Sequence, residues 1–300
     1  HAVSQLIGRL EGEQRFVPVL QHVALANKHI HHPAMGPYSL LEFAPVDAGG
    51  VAATKAAFLA AVNRGETNNA DHYFLWLWDH VPPVEALDLL LSVAIPKNVL
   101  DDHYFMFPAF TWRALESIGP DYLSVLMRPA VRYVTRFPVA PAIPEIEALL
   151  EEHQLLTCVT RQQSGADETA AVGEVGEAIG RCDVYADIPV LLAKALAQGL
   201  SLEGAGEALS IGAAGLFLRS LTGNPMDVHL HTSANLRRYL LRLDGLSLRN
   251  KLLALLLWHT GPEVRSTQHR MEPPPQPDPA AVAALPPRTQ EALLEAITQS

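Results

Sequence analysis

The chain has 300 residues and a mass of 32.6 kDa, with 49% hydrophobic and 18% charged residues. That balance excludes a disordered chain. The formal charge of −10 and the lack of a dense Lys/Arg cluster exclude nucleic acid as an expected partner, because phosphate binding needs a basic face.

No apolar run reaches the roughly 20 residues of a membrane span, so no membrane association is expected. No basic start leads into an apolar core in the manner of a signal peptide. Cys158 and Cys182 lack metal spacing. Together these features lead us to expect free thiols in a reducing cytoplasm.

Apolar residues recur at the helical period along the chain, without a convincing run of strand alternation. VEALDLLLSVAI follows Pro82 and Pro83, which suit a helix start. PDYLSVLMRPAVRYVTR follows Gly119 in the same way. PEIEALLEEHQLL opens with Pro144 and carries Glu145 and Glu147 at the positive end of the helix dipole. DIPVLLAKALAQG stops at Gly199, and Ser201 and Ser247 are N-cap candidates for SLEGAGEALSIGAAGLFLRSL and SLRNKLLALLLWH. Two echoes, helix–glycine–helix and ADHYF/DDHYF, suggest stacked hairpins. The expected fold is all-α, an irregular stack of antiparallel helical hairpins with about ten or eleven helices. One helical domain spans 1–270. A Pro-rich arm with a short helix follows over 271–300, a candidate homodimer contact.

Thirteen histidines stand against five lysines. Imidazole is the usual transition-metal ligand and the usual proton shuttle near neutral pH. Nine of the thirteen fall in four clusters. His22 and His29 share a helix face, while His31 and His32 join them only if the chain leaves the helix at Pro33. His72, Trp76, Asp79 and His80 form one stripe, but about 12 Å separates the two imidazoles, so at most one is a ligand. Asp101, Asp102 and His103 precede an aromatic run. His229 and His231 open MDVHLHTSANLRRYL, where His231, Asn235 and Arg238 share a face. Each cluster also admits a purely structural reading, as a solvated helix face or a packed core.

Nine of the twenty aromatic residues, from Tyr73 to Trp112, lie near His72, His80 and His103. An aromatic wall beside imidazoles suits a planar apolar ligand. No GxGxxG, Walker A or GxSxG motif occurs, and the ExxH pair of a carboxylate-bridged di-iron site is absent. Any metal site is expected to be His-rich and mononuclear.

Three segments carry a family resemblance: LDLLLSVAIPKNVLDDHYF with FTWRALESIG, IPVLLAKALAQGLSLEGAGEALSIGA, and DVHLHTSANLRRYLLR. Over roughly residues 85–245 the chain resembles the questin oxidase-like group of all-helical proteins. The resemblance implies dioxygen-dependent chemistry on aromatic polyketides, with non-haem iron held by histidines and a modified lysine. It points to His103 and to His229 or His231, with Asn235 nearby, and leaves Lys97 and Lys194 as candidates for the lysine. The chain is shorter than the fungal members, and its KHIHHP spacing is its own.

The primary expectation is therefore an oxygenase with one His-ligated metal, iron, acting on dioxygen and an aromatic small molecule. Candidate ligands are His29, His32, His72, His103, His229 and His231. Tyr104 is the candidate donor to a substrate oxygen, with Asn235 as a further catalytic candidate. Two alternatives stand beside it. One is a non-catalytic helical-repeat protein that binds a ligand or partner. The other is a magnesium-dependent terpene cyclase built on Asp101 and Asp102, although no second metal motif follows downstream.

Overall fold

The computed structural model of the chain describes residues 10–30, 42–137, 142–159, 168–220, 225–268 and 280. Among the described residues there is no strand, and the fold is all-α. The helices are α1 (Phe16–Ile30), α2 (Val51–Arg64), α3 (Thr67–His80), α4 (Pro83–Ala94), α5 (His103–Ile118), α6 (Leu123–Thr135) and α7 (Pro144–Glu152). They continue as α8 (Leu155–Cys158), α9 (Thr169–Gly180), α10 (Ile188–Ala197), α11 (Leu202–Arg219), α12 (Val228–Arg242), α13 (Leu248–Leu256) and α14 (Pro262–Gln268). The expected arm beyond residue 270 lies outside the described residues, apart from residue 280.

Local chemistry sets several helix ends. Pro83 and Pro144 open α4 and α7, where their missing N–H costs nothing. Ser201 and Ser247 cap α11 and α13, accepting the backbone N–H of Gly204 and Asn250. Gly199 adopts φ 112° just beyond α10, a conformation that favours glycine. The helix count exceeds the expected ten or eleven because short helices interrupt what reads as continuous pattern. PEIEALLEEHQLL is one such case. It breaks into α7 and α8 at Gln154, which adopts a left-handed φ of 47°.

The helices pack as a stack, with α2 on α3, α3 on α6, α5 on α6, α9 on α11, α11 on α12 and α12 on α13. α11 and α12 run antiparallel, Glu203 meeting Arg242 and Phe217 meeting His231, whereas α9 and α11 run parallel, Gly176 facing Ile211 and Gly180 facing Gly215. The α9–α11 contact brings two backbones together. A Cβ added to Gly215 would stand 2.9 Å from the Cα of Gly180, so only glycine permits this approach. Leu87, Leu90, Leu192, Leu209, Leu236 and Leu255 are among the fully buried side chains of one continuous core.

One corner of the stack gathers three helix starts. The 3-10 turn Pro96–Val99 leads through Asp101 and Asp102 into α5. The turn Pro225–Asp227 leads into α12, and Trp258–Thr260 leads through Gly261 into α14. The N-terminal ends of α5, α12 and α14 carry partial positive charge, which favours carboxylates placed there.

Candidate metal centre

The corner is held by a buried polar network. Arg237, 1% exposed, donates from Nε to the carbonyl of Ala254 at 2.6 Å and from Nη1 to the Ser233 carbonyl and hydroxyl. Its Nη2 donates to Asn98 Oδ1 at 3.1 Å, and its guanidinium lies 4.2 Å from the centre of the Phe105 ring. Asn98 Nδ2 donates in turn to the Leu257 carbonyl and to Thr260 Oγ1, both at 2.9 Å. The network thus ties the turn before α5 to the turn before α14.

Asp102 completes this layer. It has no exposed surface, and neither carboxylate oxygen receives a hydrogen bond; Arg237 Nη2 stands 4.0 Å away. Gly261 makes room for it, since a Cβ there would meet Asp102 Oδ1 at 2.1 Å. Burial pushes the Asp102 carboxyl up to about 7, against the pull of Arg237. The adjacent carboxylates of Asp101 and Asp102 therefore do not share an open face, the arrangement that diphosphate-bound magnesium would need.

Above this layer lies the chemically richest group. One ligand atom each from Asp101, His103 and Glu263 falls within 4.8 Å of the others. His103 Nδ1 lies 2.5 Å from Asp101 Oδ1 and 3.8 Å from Glu263 Oε1. Asp101 Oδ1 also accepts the His103 backbone N–H at 2.9 Å, and Tyr133 donates its hydroxyl to Oδ2 at 2.5 Å. Burial acts to raise the Asp101 carboxyl, but the bonds from Tyr133 and His103 outweigh it and hold the group below the usual carboxylate range. Glu263 accepts the backbone N–H of Asp102 at 3.3 Å.

His229, in the first turn of α12, faces this group. Its ring centre is 6.1 Å from that of His103, at 80°. Its Nδ1 is buried and makes no hydrogen bond. Burial lowers its pKa, and His103 adds to the effect, while Glu263 and Asp101 oppose it. The result is a neutral imidazole with an unsatisfied buried nitrogen beside two carboxylates. Such a set can take a divalent cation. His103 Nδ1–H now donates to Asp101; with that proton released, the same nitrogen and both carboxylates would face one ion.

Of the expected ligands, His103 and His229 come together. His72 and His231 do not. His72 Nδ1 is 2.6 Å from the Ala44 carbonyl and its ring packs against Phe43, fixing the segment before α2. His231 is exposed and packs against Phe217. His80, a second member of the α3 stripe, stacks on Trp76 at 3.8 Å. His29 falls in α1, but its side chain lies outside the described residues, as does His32 altogether.

Tyr104 donates its backbone N–H to the Asp101 carbonyl at 3.2 Å, but its phenol is directed elsewhere. Tyr104 is buried against Tyr133 and Phe137, and Asn235 is exposed on α12. The phenol that reaches the cluster is Tyr133. Lys97 is fully buried and donates to the Val134 and Phe137 carbonyls, both at 2.6 Å, whereas Lys194 is exposed.

The grouped donors are one imidazole and two carboxylates, with the His229 ring facing them 6.1 Å from that of His103. Asp101 was visible in the sequence as half of the Asp–Asp pair. Glu263 and Tyr133 were not, because each sits in an ordinary helical context and acquires its role from a distant partner.

Among the described residues, cavities of about 730, 620 and 190 Å³ open away from the cluster, and none of these is lined by Asp101, His103, His229 or Glu263. No helix among the described residues is long and apolar enough to cross a membrane. Comparison with protein-family models, curated proteins and solved structures finds no match to this chain.

Proposed function

We propose that the protein is a metal-dependent oxygenase with a mononuclear centre at Asp101, His103 and Glu263, completed by His229. The single observation carrying this reading is the convergence of those three donors within 4.8 Å. The buried, unbonded Nδ1 of His229 beside them gives it independent support. Two imidazoles with a carboxylate on one side of an ion, and open positions on the other, is the donor set of ferrous oxygenases. Bound there, iron would supply dioxygen activation.

The protein's own groups do the rest. Tyr133 orients Asp101, and the backbone N–H of Asp102 orients Glu263. Phe107 lies 5.0 Å from His103 and 4.8 Å from Tyr133, with part of its ring exposed. It offers a planar substrate an aromatic face next to the centre. An aromatic, polyketide-like molecule is the substrate class that agrees with this face and with the family resemblance.

Metal analysis of tag-free protein tests the reading. About one equivalent of iron, or of manganese as its surrogate, is expected after loading, and Glu263→Gln should weaken binding by at least about tenfold. Less than about a tenth of an equivalent of iron, manganese, copper or zinc would overturn it.

A further inference from the structure

A cavity of about 620 Å³ lies on the other side of the turn that leads to Glu263. Its size is that of a small-molecule site, within the usual range of roughly 300–1,000 Å³. Ile146, Leu149, Val190 and Leu257 give it an apolar lining, and the polar groups are few: His259, Thr260, Glu145 and Glu152.

These groups do not contribute equally. Thr260 Oγ1 is already engaged, accepting from Asn98 and donating to the Leu257 carbonyl at 2.8 Å. Glu145 and Glu152 are exposed, so they sit toward the solvent side and disfavour an anionic occupant. His259 is half-buried, and its Nδ1 lies 3.2 Å from the Leu256 carbonyl. A carbonyl only accepts, so Nδ1 carries the proton and Nε2 presents a lone pair. No described residue hydrogen-bonds to that Nε2. Burial above all keeps the ring neutral, holding its pKa down to about 4, with Arg237 and Arg265 acting in the same sense against Glu145 and the Leu256 carbonyl. The cavity therefore offers apolar walls, one neutral acceptor and an acidic mouth.

The geometry points to a binding site for a neutral, apolar small molecule bearing one hydroxyl, phenol or alcohol, which donates to His259 Nε2. This inference does not depend on the metal reading, because no residue of the metal cluster lines the cavity.

Titration of the full-length chain with 1-naphthol and 1-decanol, a planar and a linear member of the class, tests it by calorimetry. Saturable one-to-one binding of at least one is expected, with 1-naphthoate at least about tenfold weaker. His259→Phe keeps a ring but removes the acceptor and should weaken binding about tenfold. Val190→Trp should abolish binding by filling the cavity, while Asp101→Asn should leave it unchanged. If His259→Phe does not fold, His259→Gln and Val190→Trp carry the test. Failure of both alcohols to bind the unmodified protein would overturn the proposal. So would equal binding to Val190→Trp, or 1-naphthoate binding as tightly as 1-naphthol. Metal content, measured on the same samples, reports on the metal reading separately.

Discussion

Tyr133 donates its hydroxyl to Asp101 Oδ2 at 2.5 Å, and this bond crosses from the last turn of α6 to a residue two positions before the start of α5. It occupies one carboxylate oxygen and leaves the other, Oδ1, directed at His103. Tyr133→Phe should therefore preserve the fold and its aromatic packing while weakening metal binding about 10- to 100-fold, the usual cost of losing an outer partner. Equilibrium dialysis with ferrous iron or manganese, alongside a thermal melt, measures both effects. An unchanged affinity would remove Tyr133 from the site.

Arg237 is the keystone of the layer beneath. Arg237→Met keeps much of the side-chain volume but leaves Asp102 without its counter-charge and Asn98 Oδ1 without its donor. Breaking a buried charge pair from one side costs about 3–5 kcal/mol, and a loss of that size is expected in urea unfolding. The fully buried guanidinium, lowered to about 10 by burial despite the pull of Asp102, remains charged under the conditions of such a measurement.

The α9–α11 contact gives a paired prediction. Gly215→Ala would press a methyl to 2.9 Å from the Gly180 backbone, which has no flexible end to move aside. A loss of about 1–3 kcal/mol is expected from overpacking. Gly173→Ala, also in a helix but with nothing within 4 Å of the added methyl, should instead stabilise by about 0.5–1 kcal/mol. Chemical unfolding of the two variants should give shifts of opposite sign.

His259 predicts a pH dependence of stability. Its folded pKa is lowered from 6.5 to about 4, so the folded state binds this proton less readily than the unfolded chain. The stabilisation is complete above about pH 6.5 and is lost as pH falls toward 4, amounting to about 2 kcal/mol by pH 5. The difference in stability between the unmodified protein and His259→Phe should therefore shrink by about that amount between pH 7.5 and 5. A pH-independent difference would mean that the ring titrates normally.

The sequence made the helices legible because their signals are local. Pro83, Pro144, Ser201, Ser247 and Gly199 act within one turn of the chain, and all sit at the ends expected of them. The break at Gln154 was hidden, since no glycine or proline marks it and a residue with left-handed backbone is exceptional outside glycine. The sequence offered His103 and His229 among six candidate ligands, and the fold sets their rings 6.1 Å apart. The excess of histidine could not separate them from His72, whose imidazole serves a backbone carbonyl, or from His231, which packs on a phenylalanine.

Composition and short-range pattern thus determined that this is an all-helical protein and roughly where its helices begin. Which side chains meet was decided only by packing. Glu263 reaches Asp102 across 161 residues and Arg237 reaches Asn98 across 139. Contacts of that span leave no periodic trace in the sequence, because they depend on how whole helices dock rather than on how any one of them forms.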